Sequence, residues 1–409
     1  MDAEVVIAGG GPAGMMAGLL FARAGVPTLV LEKHADFLRD FRGDTVHPST
    51  LRVFHELGLL DALLRRPHDK VRGIGVWIGG RHYEVADLGF ADPRWAFIAM
   101  MPQWDFLDFV AEVAREYPHF RLAMEAEATG LVEEQGKVRG LRCRLDGEER
   151  EIGARLVIAA DGRRSILREA AGLNVKDLGA PMDVFWFRIP KRPTAENQTT
   201  GVAAPGRLIA LIDRGNYWQC AYVFAKGEAE KVRARGIKAF REEVATLAPM
   251  AASGIAAVAS WEDAKLLSVL LDRLESWHRP GLLVIGDAAH AMSPIGGVGI
   301  NVAVQDAVAA ANILAAPMAR GEDPGPLLAK VQKRRLPAVR VTQAAQRAAQ
   351  KRIVAPLLAS AGAPVTAPGV LKLLDRFRFL RRIPGRLIGF GFRPEHVRSP
   401  ERHRLARRG

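Results

Sequence analysis

Cysteine and long apolar runs are both scarce in this sequence. Its 409 residues include two cysteines, Cys143 and Cys220, which are too few for a disulfide framework and favour a reducing compartment. No charge-free apolar stretch reaches the ~18 residues of a membrane-spanning helix. Residues 1–4 lead directly into a predicted strand, which leaves no room for a signal peptide. We therefore expect a cytoplasmic protein without a disulfide scaffold or a membrane span.

Motifs for several other functions are missing as well. No Ser-His-Asp or metal-binding constellation and no nucleic-acid recognition module is evident, so we expect neither a metal nor a nucleic-acid partner. The sequence also has no internal repeat or low-complexity tract. Its hydrophobic content of 49% is enough to fill the cores of two domains.

The first positive feature is a glycine-rich stretch near the N-terminus. An apolar run at residues 5–8 leads directly into a G-x-G-x-x-G pattern at residues 9–14, and an Ala/Leu/Met-rich helix follows. Gly9 permits the tight turn, Gly11 lets the backbone approach a pyrophosphate, and Gly14 lets helix and strand pack closely. The helix N-terminus then offers free N–H groups and partial positive charge to phosphate oxygens.

An acidic residue and two further motifs extend this pattern. The second strand ends at Glu32, followed by Lys33, close to the separation expected for an acid that binds ribose hydroxyls. Strands also precede Asp161-Gly162 and Gly286-Asp287, far along the chain. One βαβ unit with two distant companions predicts a single large dinucleotide held by several segments, and we predict that it is FAD.

The stretch that begins at Gly286-Asp287 is the most specific of the three. It continues through Pro294, Gly297 and Gly299 into a helix. A carboxylate after a strand can accept a hydrogen bond from a ribityl hydroxyl, and glycines at a helix N-terminus expose N–H groups that stabilise negative charge on a reduced flavin. The alternative role for Asp287 is that of a helix N-cap.

Together the three motifs resemble the group A flavoprotein monooxygenases, the p-hydroxybenzoate hydroxylase family, over most of the chain to about residue 350. The resemblance implies FAD, with NADH or NADPH as transient co-substrate and O2 as oxidant. It implies hydroxylation or epoxidation of an aromatic or polyketide-like small molecule by way of a flavin hydroperoxide. The implied cofactor-binding residues are Gly9, Gly11, Pro12, Ala13, Gly14, Glu32, Lys33, Arg42, Gln103, Asp161, Gly162, Asp287, Pro294, Gly297, Gly299 and Asn301.

Residues for proton transfer and substrate binding are predicted from their position. Asp44 and His47 follow Arg42 and should fall near the flavin, where His47 would act as a base because its unperturbed pKa is near 6.5. The alternative is a loop histidine packed before Pro48. Strand alternation should turn about half of the substrate-binding candidates away from the pocket. Those candidates are Trp186, Arg188, Tyr217, Trp218, Gln219 and Tyr222.

Patterning along the chain predicts an α/β fold in three parts. A Rossmann-like FAD-binding domain takes residues 1–71, 102–178 and 276–352, an inserted α+β substrate domain built on a β-sheet takes residues 72–101 and 179–275, and a basic helical cap takes residues 353–409. Helices are predicted over residues 49–66, 105–116 and 229–247.

The formal net charge of +13 is concentrated in the C-terminal region. Residues 351–409 hold fourteen Lys and Arg against three acids, and apolar residues lie between the charges. This pattern indicates either peripheral contact with an anionic membrane or a basic helix whose apolar face covers the main domain. We favour the second, because any packed helix shows such periodicity.

Three functions are compatible with these observations, in a monomer or a homodimer. The leading hypothesis is the monooxygenase. The alternatives are an FAD-dependent reductase or dehydrogenase of an unsaturated, prenyl-type substrate and a non-redox FAD-binding protein.

Overall fold

The computed structural model describes residues 3–38, 45–191, 199–360 and 366–402. These residues form twenty strands: β1 (Ala3–Ala8), β2 (Thr28–Leu31), β3 (Thr45–Val46), β4 (Asp69–Val71), β5 (Gly73–Ile78), β6 (Arg81–Asp87), β7 (Ile98–Met100), β8 (Phe120–Ala123), β9 (Glu127–Glu134), β10 (Lys137–Leu145), β11 (Glu148–Ala159), β12 (Val175–Asp177), β13 (Met182–Pro190), β14 (Thr200–Ala204), β15 (Arg207–Asp213), β16 (Tyr217–Ala225), β17 (Lys265–Leu267), β18 (Asp272–Leu274), β19 (His278–Arg279) and β20 (Leu282–Val284).

The same residues form twelve α-helices: α1 (Pro12–Arg23), α2 (Pro48–Glu56), α3 (Leu60–Leu63), α4 (Gln103–Arg115), α5 (Ile166–Ala170), α6 (Ala229–Ala234), α7 (Gly236–Leu247), α8 (Gly299–Ala319), α9 (Leu328–Ala349), α10 (Ala355–Ala359), α11 (Gly369–Arg376) and α12 (Arg382–Gly389). A π-helical turn, Gln350–Val354, joins α9 to α10.

The N-terminal strand lies at the centre of a parallel sheet. β1 pairs with β2 on one side and β11 on the other, and β8 and β20 extend the sheet outward. Because parallel strands end at the same edge, the glycine motifs that follow β1, β11 and β20 meet there. A Cβ on Gly9 would lie 2.4 Å from the Ala160 oxygen, and one on Gly286 would lie 2.9 Å from the Ala13 Cβ.

Helices cover one face of this sheet. α1 packs against both α4 and α8 in one apolar core, and the antiparallel strands β9 and β10 together with Val339 of α9 belong to the core on the other face. Among the described residues, one helical stretch, Ile295–Ala319, is long and apolar enough to cross a membrane, but most of it is buried inside the protein. It is therefore explained as the core helix of this domain.

A second, seven-stranded sheet has the order β17-β13-β16-β15-β14-β5-β6. Its strands come from both segments predicted to form the substrate domain, and β14 pairs in parallel with β5, with Gly201 opposite Val76. One face packs on α7 through Phe185, Phe187 and Phe240. The opposite face carries Trp186 and other alternate residues.

Two predicted helices are interrupted by glycine. The helix predicted over residues 49–66 ends at Glu56 and resumes at Leu60, because Gly58 has a φ of 73°. The helix predicted over residues 229–247 breaks at Gly236, whose φ is 84°. Glycine adopts this left-handed conformation at little cost in free energy. The apolar pattern continues across each glycine, so the pattern alone does not show that the helix is interrupted there.

The C-terminal region combines helices with an extended strap. α11 and α12 pack on β6, and residues 390–402, here called the strap, then run back over the first domain. Arg23 donates to the Ser399 carbonyl and pairs with Glu401, while Asn312 of α8 accepts from the Arg398 N–H. The helical part of the predicted cap thus ends at Gly389, and the strap fastens the C-terminal region to the first domain.

Candidate active site

A cavity of about 800 Å³ lies between the edge of the parallel sheet and the second sheet. All three glycine motifs line one part of it, and alternate residues of the second sheet line the rest. Its volume falls within the ~300–1,000 Å³ typical of ligand-binding cavities. The cavity therefore joins the predicted cofactor site and the predicted substrate site in one space.

The N-terminus of α1 forms a backbone cradle at this cavity. A Cβ on Gly14 would lie 1.9 Å from the Gly9 oxygen, so this helix sits against the end of β1 more closely than any side chain allows. A Cβ on Gly11 would meet no atom of the described residues within 4 Å. No side chain of the described residues caps the helix, which leaves its first N–H groups for phosphate oxygens. Pro12 and Ala13 also line the cavity.

Glu32 is fixed at the next part of the cavity wall. Its Oε2 accepts from the Gly10 N–H at 3.0 Å and its Oε1 from the His34 N–H at 3.1 Å. These bonds hold the carboxylate beside the cradle, as expected for a ribose-binding acid. Lys33 and His34 line the same part, and the sequence pattern gave no reason to select His34.

Asp161 and Asp287 both line the cavity but differ in their partners. Asp161 accepts from the Ser165 hydroxyl at 2.5 Å and from the Leu167 N–H at 3.2 Å, so its carboxylate stabilises the start of α5. Burial raises the pKa of Asp161 despite these bonds. Asp287 is half-exposed to the cavity and lies 3.8 Å from the Arg163 guanidinium, a group that sequence reasoning missed. Gly162 lines the same cavity as the two aspartates.

The N-terminus of α8 points toward the cavity from the other end. Pro294, Gly297 and Gly299 line the wall here, and no side chain caps the helix. Gly297 packs tightly on β3, where the Thr45 hydroxyl donates to its carbonyl at 2.7 Å. The free N–H groups and positive end of α8 can stabilise negative charge in a ligand. Gln103, the first residue of α4, also lines the cavity.

Asn301 does not line the cavity, in contrast to the prediction. Its Oδ1 accepts from the His47 N–H at 2.9 Å and the Thr50 hydroxyl at 2.7 Å, and its Nδ2 donates to the Thr45 carbonyl at 3.3 Å. The amide is therefore committed to the start of α2. Asn301 is linked to the Gly297 turn through Thr45, whose hydroxyl donates to the Gly297 carbonyl.

The position of His47 does not fit the predicted role of a catalytic base. It is fully buried, it is not among the cavity-lining residues, and its Nδ1 donates to the Ile388 carbonyl at 2.8 Å. Burial lowers the pKa of His47 to about 4, so the ring is neutral and shielded at physiological pH. The alternative of a packed loop histidine before Pro48 describes it better. The other predicted residues of this loop, Arg42 and Asp44, lie outside the described residues.

The buried His47 makes folding stability depend on pH. Between about pH 6.5, the unfolded pKa, and the folded pKa of about 4, the unfolded chain binds a proton that the folded chain does not. Stability is therefore full above pH 6.5 and declines as the pH falls, by roughly 2–3 kcal/mol at pH 4.5. We expect His47→Gln, which can still donate to Ile388, to remove this decline when urea unfolding is compared at pH 7.5 and 4.5. The same decline in both proteins would contradict the assignment.

The substrate-binding candidates divide between the two faces of the second sheet. Trp186 and Gln219 line the cavity. Trp218 and Tyr222 point to the opposite core, where the Tyr222 hydroxyl donates to Glu243 at 2.9 Å. Alternation along β16 requires this split, but the sequence alone does not reveal which parity faces the cavity.

Arg188 and Tyr217 lie outside the cavity as well. The Arg188 guanidinium lies 5.2 Å from the centre of the Tyr217 ring, and neither residue is among those that line the wall. The residues that complete this part of the wall are mainly apolar, including Ile74, Met100 and, from the π-helical turn, Ile353. Sequence reasoning did not select them, because an apolar wall residue looks like any core residue.

A buried charge network supports the Gly286 turn from behind. Asp306 accepts from the Gly286 N–H at 3.1 Å, His290 Nε2 at 2.6 Å and Arg335 Nε at 2.9 Å. Burial opposes the charge on Asp306, but His290 and Arg335 outweigh it and hold the pKa of that carboxyl below its usual range. Glu395 of the strap lies 3.5 Å from Arg335. The strap therefore reaches the back of the predicted ribityl site.

These residues fit FAD. The open space at Gly11, the uncapped ends of α1 and α8 and the half-exposed Asp287 lie along one cavity wall. Among the described residues, no group of three or more His, Cys, Asp or Glu is placed to hold a metal.

Comparison with known proteins identifies the family. The profile of the family described as "FAD binding domain" matches residues 2–348, and the chain belongs to this family. It is 30% identical over 336 residues to 6-methylpretetramide 4-monooxygenase of Streptomyces rimosus, covering 82% of this chain and 80% of that one. The predicted α/β flavoprotein fold, the FAD cofactor and the resemblance to group A flavoprotein monooxygenases are confirmed.

Two further relatives extend the comparison. A probable NADH-specific resorcinol 4-hydroxylase of Rhodococcus jostii (strain RHA1) is 26% identical over 319 residues, and the match covers 74% of this chain but only 57% of that protein. The solved structure of OxyS anhydrotetracycline hydroxylase from Streptomyces rimosus superimposes with a TM-score of 0.74 at 20% identity, over 95% of this chain and 76% of that one. At this identity the superposition shows a shared fold.

Proposed function

We propose that the protein is a cytoplasmic FAD-dependent monooxygenase that uses NADH or NADPH and O2 to hydroxylate or epoxidise an aromatic or polyketide-like small molecule. The observation that carries the proposal is the continuous cavity that joins the three cofactor motifs to an apolar wall of the second sheet. The activities named for the relatives, on a polyketide-type and a phenolic compound, support it.

Bound FAD would supply the electron transfer and the oxygen activation. The chain supplies binding through Gly11, Glu32 and Asp287, and the N-terminus of α8 stabilises negative charge at the other end of the cofactor site. In the described residues, the charged groups that line the cavity all belong to the nucleotide end, and the second sheet contributes none. The side chains of the second sheet therefore orient the substrate and exclude water. Those that the structure describes include no group that acts as a general base at the cavity.

The test is NAD(P)H oxidation by the purified yellow protein, with a panel of ring-hydroxylated and polyketide-like ligands, in air and without oxygen. We expect one ligand class to accelerate NAD(P)H oxidation in air, and we expect the flavin to be reduced only once without oxygen. Continued turnover without oxygen would support the reductase or dehydrogenase instead. Ligand conversion with a redox-inert flavin analogue would support the non-redox alternative.

α11 and α12 cover part of the second sheet through their inner face, and we also propose that their outer face, with the turn Arg378–Arg381 between them, contacts an anionic membrane surface. We propose that the protein is a monomer or a homodimer. Leu371 packs inward, but Val370, Phe379 and Ile383 are 52%, 66% and 67% exposed. The cations interleaved with them are Lys372, Arg376, Arg378, Arg382 and Arg386. Exposed apolar groups among cations favour anionic lipid headgroups.

Co-sedimentation with vesicles tests this contact. We expect binding to phosphatidylserine-containing vesicles that weakens with salt and is lost in a Phe379→Ser, Ile383→Ser double variant. Val175→Ser removes an exposed apolar side chain elsewhere and is the matched control. No binding by the unchanged protein, or equal binding by both variants, would contradict the proposal.

A further inference from the structure

Gln219 presents its amide NH2 group to the cavity with a fixed orientation. The side chain lies on β16, is 3% exposed and lines the cavity wall. Its Oε1 accepts from Arg214 Nε at 3.1 Å. Because a guanidinium only donates, the carbonyl oxygen must face Arg214 and the NH2 group must face away from it. No described residue accepts a hydrogen bond from that NH2 group.

Trp186 places a second donor on the same face of the same strand pair. It lies opposite Ala221 on β16, so Gln219 is its diagonal neighbour, a separation of about 7–8 Å between Cα atoms. Its ring lines the cavity, while its indole Nε1 is covered by neighbouring atoms and has no hydrogen-bond partner among the described residues. An indole nitrogen can only donate, and a buried donor without an acceptor is rare in folded proteins.

The surroundings of these donors define what a ligand must offer. The wall around them is formed by apolar residues such as Val184, Ala210 and Ile212. None of the described residues that line this part of the cavity is charged; Arg188 and Arg214 lie next to Gln219 but outside the lining. The complementary ligand is an uncharged ring system with oxygen acceptors.

We propose that Gln219 Nε2, together with Trp186 Nε1 after a turn of the indole ring that uncovers it, determines substrate specificity by donating hydrogen bonds to carbonyl or phenolic oxygens of an uncharged, fused-ring substrate. The two bonds would fix the orientation of the ring system in the cavity and select which ring atom faces the cofactor motifs. The inference rests on the proposed monooxygenase function for its biological meaning, but the binding itself does not require turnover.

Ligand binding to the FAD-loaded protein tests the proposal, with the flavin absorbance change as the readout. The probes are 1,4-naphthoquinone, naphthalene and 1-naphthoate, which share a ring size but differ in acceptors and charge. We expect naphthoquinone to bind at least about tenfold more tightly than the other two, since each buried hydrogen bond contributes severalfold to affinity.

Variants assign the effect to the two donors. Trp186→Phe removes the indole N–H, and Gln219→Glu keeps an acceptor for Arg214 but removes the NH2 group. We expect each to weaken naphthoquinone binding about five- to tenfold and to leave naphthalene binding unchanged. Trp77→Phe, at an exposed indole outside the cavity, is the control. FAD content and the melting temperature of each variant establish that it is folded.

The outcomes separate the inference from the proposed function. Equal affinity for naphthoquinone and naphthalene, or variants that weaken all probes alike, would overturn the donor assignment even if the protein transfers oxygen. The expected binding pattern without any oxygenated product would leave the donor assignment in place and overturn the monooxygenase.

Discussion

Asp306→Ala is expected to lower the free energy of unfolding by about 3 kcal/mol, because it removes the nearer carboxylate partner of a buried guanidinium and leaves only the longer contact with Glu395. Asp306 is fully buried, and its carboxylate is the acceptor for Arg335, His290 and the Gly286 N–H. The variant leaves the buried Arg335 only its longer contact with Glu395 among the described carboxylates, removes the acceptor of His290 and frees the Gly286 turn. FAD affinity should therefore fall together with stability.

Chemical unfolding and FAD titration measure the two effects. The control is Asp323→Ala, whose carboxylate is 59% exposed and pairs with Lys137 at 3.5 Å. A surface pair of this kind contributes about 0–1 kcal/mol. A loss below about 1 kcal/mol for Asp306→Ala would mean that the network does not support the turn.

Gly14→Ala and Gly11→Ala are expected to fail in different ways. At Gly14 the new methyl group would lie 1.9 Å from the Gly9 oxygen, so α1 must move away from β1 and no folded flavoprotein should form. At Gly11 the backbone φ of −73° suits alanine, and in the described part of the chain no atom lies within 4 Å of the new Cβ. That variant should fold, but its methyl group enters the space where a pyrophosphate approaches, lowering FAD affinity by at least about tenfold.

Circular dichroism and the FAD content after gel filtration distinguish the two variants. Gly369→Ala, on α11 with open space around its Cβ, should bind FAD like the unchanged protein. If Gly11→Ala retains full FAD affinity, the cradle at the N-terminus of α1 is not the pyrophosphate site.

The cofactor part of the site could be predicted from the sequence because its signals are local. A strand, a glycine pattern and a helix start determine where the backbone of Gly11 lies, and parallel pairing then brings Asp161 and Asp287 to the same edge. The prediction of these elements does not depend on the rest of the fold.

The remaining features depend on tertiary contacts that no short pattern contains. His47 and Asn301 follow the expected spacing, but the His47 ring bonds the Ile388 carbonyl of α12 and the Asn301 amide bonds the backbone before α2, so neither side chain lines the cavity. The parity of β16 decides that Gln219 and not Trp218 faces the ligand. The strap contacts Arg23 across 376 residues of chain and α8 across 84, and its extended conformation has no periodicity to detect.

The most direct test of the central claim is product mass after turnover in isotopically labelled O2. The shared cavity predicts that NAD(P)H oxidation places one labelled oxygen atom in the ring substrate, with unlabelled product when the label is in water. Substrate-accelerated NAD(P)H oxidation that yields only hydrogen peroxide and unchanged ligand, or product oxygen that comes from water, would contradict it.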